Sequence, residues 1–85
     1  MNNVAIEKLI DDLKNNPMVF ITFMTKMKVQ RIMACTKDID TVPQDKWEDQ
    51  NNFKLVHDSI IAVFDLQNDA WRSIRKDSIL SYVVV

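Results

Sequence analysis

Eighty-five residues make a single domain, residues 1–85, with a thin stability margin, because a chain this short buries only ~60–65% of its unfolded surface. There is no glycine, which excludes a glycine-rich dinucleotide loop, a P-loop and a GxSxG nucleophile elbow together. One cysteine (Cys35) and one histidine (His57) leave no intramolecular disulfide, no multi-cysteine metal site and no histidine cluster, so the composition argues against an enzyme, a bound metal and a cofactor.

Val4, Ile6, Leu9, Ile10 and Leu13 recur at mostly three- and four-residue spacing among charged residues, which predicts an amphipathic helix within residues 1–17. Asn2 or Asn3 caps its start, Glu7 is expected in the first turn, where the helix dipole favours an anion, and Asn15, Asn16 and Pro17 stop it. From residue 18 the period changes to two. Residues 18–25 predict a strand with Val19, Ile21 and Phe23 on one side and Phe20, Thr22 and Met24 on the other. Both sides are rather apolar, so the strand is expected to be covered on both. Lys26-Met27-Lys28 is the turn and residues 29–36 the return strand.

Residues 37–52 are a polar, acidic loop holding Asp38, Asp40, Asp45, Glu48 and Asp49 against Lys37 and Lys46. Pro43 breaks it, residues 44–47 fit one helical turn, and Trp47 is expected to fold back onto the rest, since a tryptophan in a solvated loop gains nothing. Residues 53–56 either belong to the loop or begin the next strand. Residues 60–66 and 71–75 flank the polar tetrad 67–70 and predict a β-hairpin. A short polar break, residues 76–78, leads into a last strand, residues 79–84. The fold class is therefore α+β, mainly β: an N-terminal amphipathic helix (1–17) followed by a five-stranded SH3-like or Sm-like small barrel (18–85). Phe20 or Phe23, Ile32, Phe64, Trp71 and Ile79 are the expected core. Without glycine, asparagine or aspartate is expected wherever φ is positive.

Several blocks resemble a known family. These are Phe23, Thr25-Lys26, Arg31, Met33-Ala34-Cys35-Thr36, Val42-Pro43, Val63-Phe64-Asp65-Leu66, and Trp71-Arg72-Ser73-Ile74-Arg75 with Asp77-Ser78-Ile79. Together they are similar to a family of small bacteriophage Sm-like SH3 β-barrel proteins named after the WYL domain. The likeness spans roughly residues 18–81. It departs at Lys28, where the family usually has glycine, and in the acidity of the loop. The resemblance implies the barrel and a phage origin. The family's activity is largely unassigned, so the function is an expectation beyond it: a counter-defence role in the cytoplasm of an infected bacterium, with RNA binding and inhibition of a host defence protein such as a toxin ribonuclease.

The charges are unevenly spread. Residues 1–17 sum to −1, 18–36 to +3, 37–58 to −3 and 59–85 to 0, for a net −1. Lys26, Lys28, Arg31, Arg72, Arg75 and Lys76 all fall on barrel strands and turns and are the candidate RNA-binding residues. Trp71 or Phe20 beside them offers a surface on which a base can stack. The alternative is a solvated face with salt bridges to Asp65, Asp69 and Asp77. Arg72 and Arg75, three apart on a strand, point to opposite faces. One is expected to pair with an acid such as Asp65 across the hairpin and the other to stay on the surface. The acidic loop lacks the register of a calcium site. It serves either as a solvated loop or as a docking surface for a basic host protein, and in the latter case the chain is a protein–protein inhibitor with no nucleic-acid contact. Cys35, in a strand-like run, reads as a buried small hydrophobe. The valines at 83–85 suggest self-association as a homodimer or higher oligomer, or a strand that closes the barrel. No apolar run is long enough to cross a bilayer and no secretory segment is visible, so a soluble cytoplasmic protein with no membrane partner is expected.

Overall fold

The computed structural model describes residues 2–47 and 59–85. Residues 53–56, the acids Glu48 and Asp49, and His57 lie outside the described residues. One helix, α1 (Asn3–Asn15), precedes five strands: β1 (Val19–Met24), β2 (Gln30–Thr36), β3 (Ile60–Asp65), β4 (Ala70–Arg75) and β5 (Ile79–Val84). Two short 3₁₀ turns join them, Gln44–Lys46 in the acidic loop and Lys76–Ser78 between β4 and β5.

The helix starts where its first N–H groups find a cap: Asn2 Oδ1 accepts from the Ala5 N–H at 2.9 Å. Glu7 sits beyond the first turn, which holds no acid, and Val4 is exposed rather than part of the buried stripe. The helix ends at Asn16, whose backbone is extended and whose side-chain amide donates to the Asp12 carbonyl oxygen at 2.8 Å. Its last carbonyls are tied to the sheet. Thr36 Oγ1 donates to the Asn16 carbonyl oxygen at 2.8 Å, and the Lys37 N–H donates to that of Leu13 at 2.9 Å. This satisfies helix-end acceptors that would otherwise be buried without partners.

The sheet is antiparallel in the order β4-β3-β2-β1-β5. Among the described residues its two edges are β4 and β5, which are not hydrogen-bonded to one another, so the sheet is not a closed barrel. It is nevertheless folded on itself. Flat, β4 and β5 would lie four strand spacings apart, ~19 Å. The three-residue 3₁₀ turn joining them spans only ~6 Å. The sheet bends where β2 and β3 share just two residue pairs, Cys35 with Asp65 and Thr36 with Phe64. A register shift between Thr22 and Phe23 bends β1 against β5.

The bend gives two cores. Ile6, Leu9 and Leu13 of α1 pack against Val19, Ile21, Cys35, Ile61, Val63, Ile74 and Ile79. On the other face of β3 and β4, Val42 of the loop joins Ala62, Phe64 and Trp71. Phe64 and Trp71 meet edge to face at 5.6 Å. Trp71 Nε1 donates to the Lys46 carbonyl oxygen at 2.7 Å, and Trp47 Nε1 to that of Val42 at 3.0 Å, which pins the loop onto the sheet. Trp47 covers only part of its surface this way, and remains 38% exposed.

Three expectations for the core need correction. Ile32 is 66% exposed, Phe20 is 37% exposed, and Phe23 is only partly buried. Val19 and Ile21 pack with α1 and are fully buried, whereas on the opposite face of β1 Phe20 is 37% exposed and Thr22 and Met24 are only partly covered. Phe64, Trp71 and Ile79 are buried as expected. The residues with positive φ are Lys28 (60°) and Asp69 (54°). Aspartate takes the β3–β4 turn as anticipated, but a lysine takes the β1–β2 turn. There the Lys28 N–H donates to the Thr25 carbonyl oxygen at 2.9 Å and the Val29 N–H to Thr25 Oγ1 at 3.1 Å. Among the described residues no helix is long and apolar enough to cross a membrane.

Candidate nucleic-acid interface

Bending the sheet brings the end of β1 to the end of β4. In a flat sheet these strands would be three spacings apart, ~14 Å. Here they line one open cleft of about 230 Å³. Its apolar lining is Phe23, Met24 and Ile74, and its hydroxyls are those of Thr25, Ser73 and Ser78. Lys26 and Arg75 complete the lining. The six candidate cations therefore divide.

Lys26 and Arg75, forty-nine positions apart in sequence, share the cleft. Arg75 Nε lies 3.9 Å from Asp77 Oδ1, and both side chains are more than half exposed. An ion pair this long and solvated contributes little, and it yields to a better-placed anion. Ser78 Oγ donates to the Arg75 carbonyl oxygen at 2.7 Å, which fixes the backbone where β4 becomes the 3₁₀ turn.

Lys28 stands in the exposed turn beside Lys26, and Arg31 is exposed on β2 opposite Phe23, the residue that lines the cleft. These two extend the positive charge from the cleft along the first hairpin. Lys76 opens the 3₁₀ turn directly after Arg75, its backbone N–H donating to the Ser59 carbonyl oxygen at 2.8 Å.

Arg72 belongs elsewhere. It is opposite Val63 in the ladder, whereas Arg75 is opposite Ile60, so the two arginines point to opposite faces. Arg72 Nε lies 3.7 Å from Asp65 Oδ2, an acid that is 4% exposed at its side chain. Asp65 also accepts from the Gln67 N–H (3.0 Å), the Asn68 N–H (3.2 Å) and Asn68 Nδ2 (2.7 Å). Burial alone would push its carboxyl up. The hydrogen bonds from Asn68 and Gln67 and the charge of Arg72 outweigh burial, and the net result is a carboxyl held below the ordinary range. The hairpin turn is built on this aspartate, and Arg72 is its structural partner.

Trp71 is buried to 7% with its indole N–H donated to Lys46, so it presents no ring on which a base can stack. Phe20 remains partly exposed. In the acidic loop, Asp38 is committed to a turn: Oδ1 accepts from the Asp40 N–H at 3.2 Å and Oδ2 from Thr41 Oγ1 at 3.0 Å. Lys37 reaches back to the Ala62 carbonyl oxygen at 2.9 Å. Among the described residues no three His, Cys, Asp or Glu side chains gather as a metal ion would require. Cys35 is fully buried and its thiol is pushed up to about 12, chiefly by burial and then by the charge of Asp65. Such a thiol stays protonated at neutral pH and is a poor nucleophile.

Sequence reasoning found the two cations of the cleft but missed the hydroxyls of Thr25, Ser73 and Ser78 and the apolar floor. These residues meet only because the sheet bends, and no local pattern reports that. No family model, curated protein or solved structure matches this chain.

Proposed function

We propose that the protein is a non-enzymatic phage accessory protein that binds RNA through the basic rim of this cleft. In doing so it inhibits a host defence factor, such as a toxin ribonuclease, in the cytoplasm of the infected bacterium. The observation that carries the RNA reading is the placement of Lys26 and Arg75 on one cleft, among three hydroxyls and next to Lys28, Arg31 and Lys76. Cations and hydroxyls are the groups that hold a phosphate backbone, and they read it without regard to base identity. Binding is therefore electrostatic and weakly sequence-selective. The phage and counter-defence parts rest on the resemblance of the WRSxR and MxCT blocks, which extends to the toxin-inhibiting factor of T-even phages.

The test is the absorbance ratio at 260 and 280 nm of the purified protein, before and after ribonuclease. A ratio raised by bound RNA and lowered by ribonuclease supports the proposal. A protein that carries no RNA, binds none when it is added, and still inhibits its target would instead be a protein–protein inhibitor acting through other surfaces, such as the acidic loop.

A further inference from the structure

One face of the sheet exposes apolar side chains on three adjacent strands, around a buried Ala34. Val83 of β5 pairs with Phe20 of β1, and Phe20 pairs with Ala34 of β2, so the three side chains stand in a row across the sheet. Ile32 lies two residues along from Ala34 on the same face, opposite Thr22. Val85 continues the row beyond Val83, its N–H donating to the Met18 carbonyl oxygen at 3.3 Å. Ile32 is 66% exposed, Val83 64%, Val85 69% and Phe20 37%. Together these four side chains leave apolar surface on the order of 400 Å² in water, as much as the largest patch on a typical monomer.

The strand side chains that alternate onto this face are all uncharged. The residues that alternate onto it are Phe20, Thr22 and Met24 from β1, Gln30, Ile32 and Ala34 from β2, and Ser81 and Val83 from β5. In a chain where 23 of 85 residues are charged, an uncharged face spanning three strands is uncommon. The charges sit elsewhere, on the hairpin tip, the cleft and the acidic loop.

We infer that this face binds a second copy of the chain, the two sheets packing face to face about a two-fold axis. A two-fold interface sets each patch against itself, so any charge near the axis would meet its own like. A neutral apolar face meets that condition, whereas a docking site for a highly charged partner would carry the opposite sign. The area agrees as well. About 400 Å² of apolar surface is half of the ~800 Å² that each partner of a stable interface contributes, and the polar remainder, Thr22, Ser81 and Gln30, forms a rim. The contact is sheet on sheet and does not use the edges of β4 and β5; Met24, at the end of β1, is shared between this face and the cleft.

Ile32→Glu and Val83→Glu test this. Both positions are exposed, so neither substitution removes a buried contact within the monomer. Sedimentation velocity and light scattering on the full chain are expected to show a dimer. Each glutamate is expected to weaken it by at least about tenfold, with a melting temperature at high dilution close to that of the parent. A parent protein that stays monomeric at ~100 µM would overturn the inference. So would a dimer indifferent to both glutamates, or a larger ring, since either would place the contact on the strand edges or on another surface.

Discussion

Trp71 is the residue on which the second core turns, and removing it tests the packing account directly. The indole is 7% exposed, lies against Phe64 edge to face, and donates to the Lys46 carbonyl oxygen at 2.7 Å. Trp71→Ala deletes that volume and costs about 3–5 kcal/mol. It also leaves the Lys46 carbonyl oxygen without its donor, which adds to the loss where the loop cannot rehydrate. Total stability for 85 residues is on the order of 4–13 kcal/mol, so the variant loses from about a quarter of it to all of it. Trp71→Phe keeps an aromatic ring beside Phe64 but loses the N–H, and should cost only about 1–2 kcal/mol. Urea unfolding followed by circular dichroism reads both, because the midpoint shifts while the slope stays constant if only stability has changed. A Trp71→Ala protein that unfolds cooperatively at the parental midpoint would refute the reasoning and return Trp71 to the surface as a stacking residue. Where the fold survives, as in Trp71→Phe, RNA affinity should be unchanged.

Other outcomes follow from individual groups. Lys28→Gly should raise the melting temperature by about 2–8 °C, since a non-glycine residue at φ 60° carries ~1 kcal/mol of steric strain that glycine relieves; a lower melting temperature would show the turn to be unstrained. Asp65→Asn should destabilise by about 1–3 kcal/mol at pH 7. The folded carboxyl is held below its ordinary value, so its stabilisation is present above the unfolded range and is lost as pH falls through the folded value. The gap between parent and variant should therefore narrow below about pH 4, and a gap independent of pH from 7 to 2 would contradict the assignment. Cys35 should resist a thiol reagent at pH 8 in the folded protein and react fully in denaturant, because burial pushes its thiol up to about 12; rapid labelling under native conditions would mean that the main core opens readily.

Much of the fold was legible because it rests on periodicity. The helical spacing of Ile6, Leu9 and Leu13, the alternation after residue 18, and the polar tetrad before Trp71 each report a local geometry. Alternation says which residues share a face, but not whether anything covers that face. That is why Ile32 and Phe20 were misplaced: both are apolar strand residues, yet their face of β1 and β2 is only partly covered, and Ile32 stays 66% exposed. The turn at Lys28 was legible as a turn, but its positive φ on a lysine was not, because hydrogen bonds donated to Thr25 and the strand pairing beyond it override the residue's own preference. At the site, the pairing of Arg72 with Asp65 follows from the hairpin and was foreseen. The meeting of Lys26 with Arg75 was foreseen only as a possibility for two strands, since it depends on how sharply the sheet bends between β2 and β3.

The central claim is that Lys26 and Arg75 form one anionic-ligand site, and RNA affinity measured against salt tests it most directly. Fluorescence anisotropy with a labelled single-stranded oligonucleotide should give a linear fall of log affinity with log salt in the parent. Lys26→Ala/Arg75→Ala, with its melting temperature unchanged, should bind more weakly at low salt. Its slope should be shallower by about 1.4, the value for two lost single-strand phosphate contacts. An unchanged affinity and an unchanged slope in that folded double variant would contradict the account.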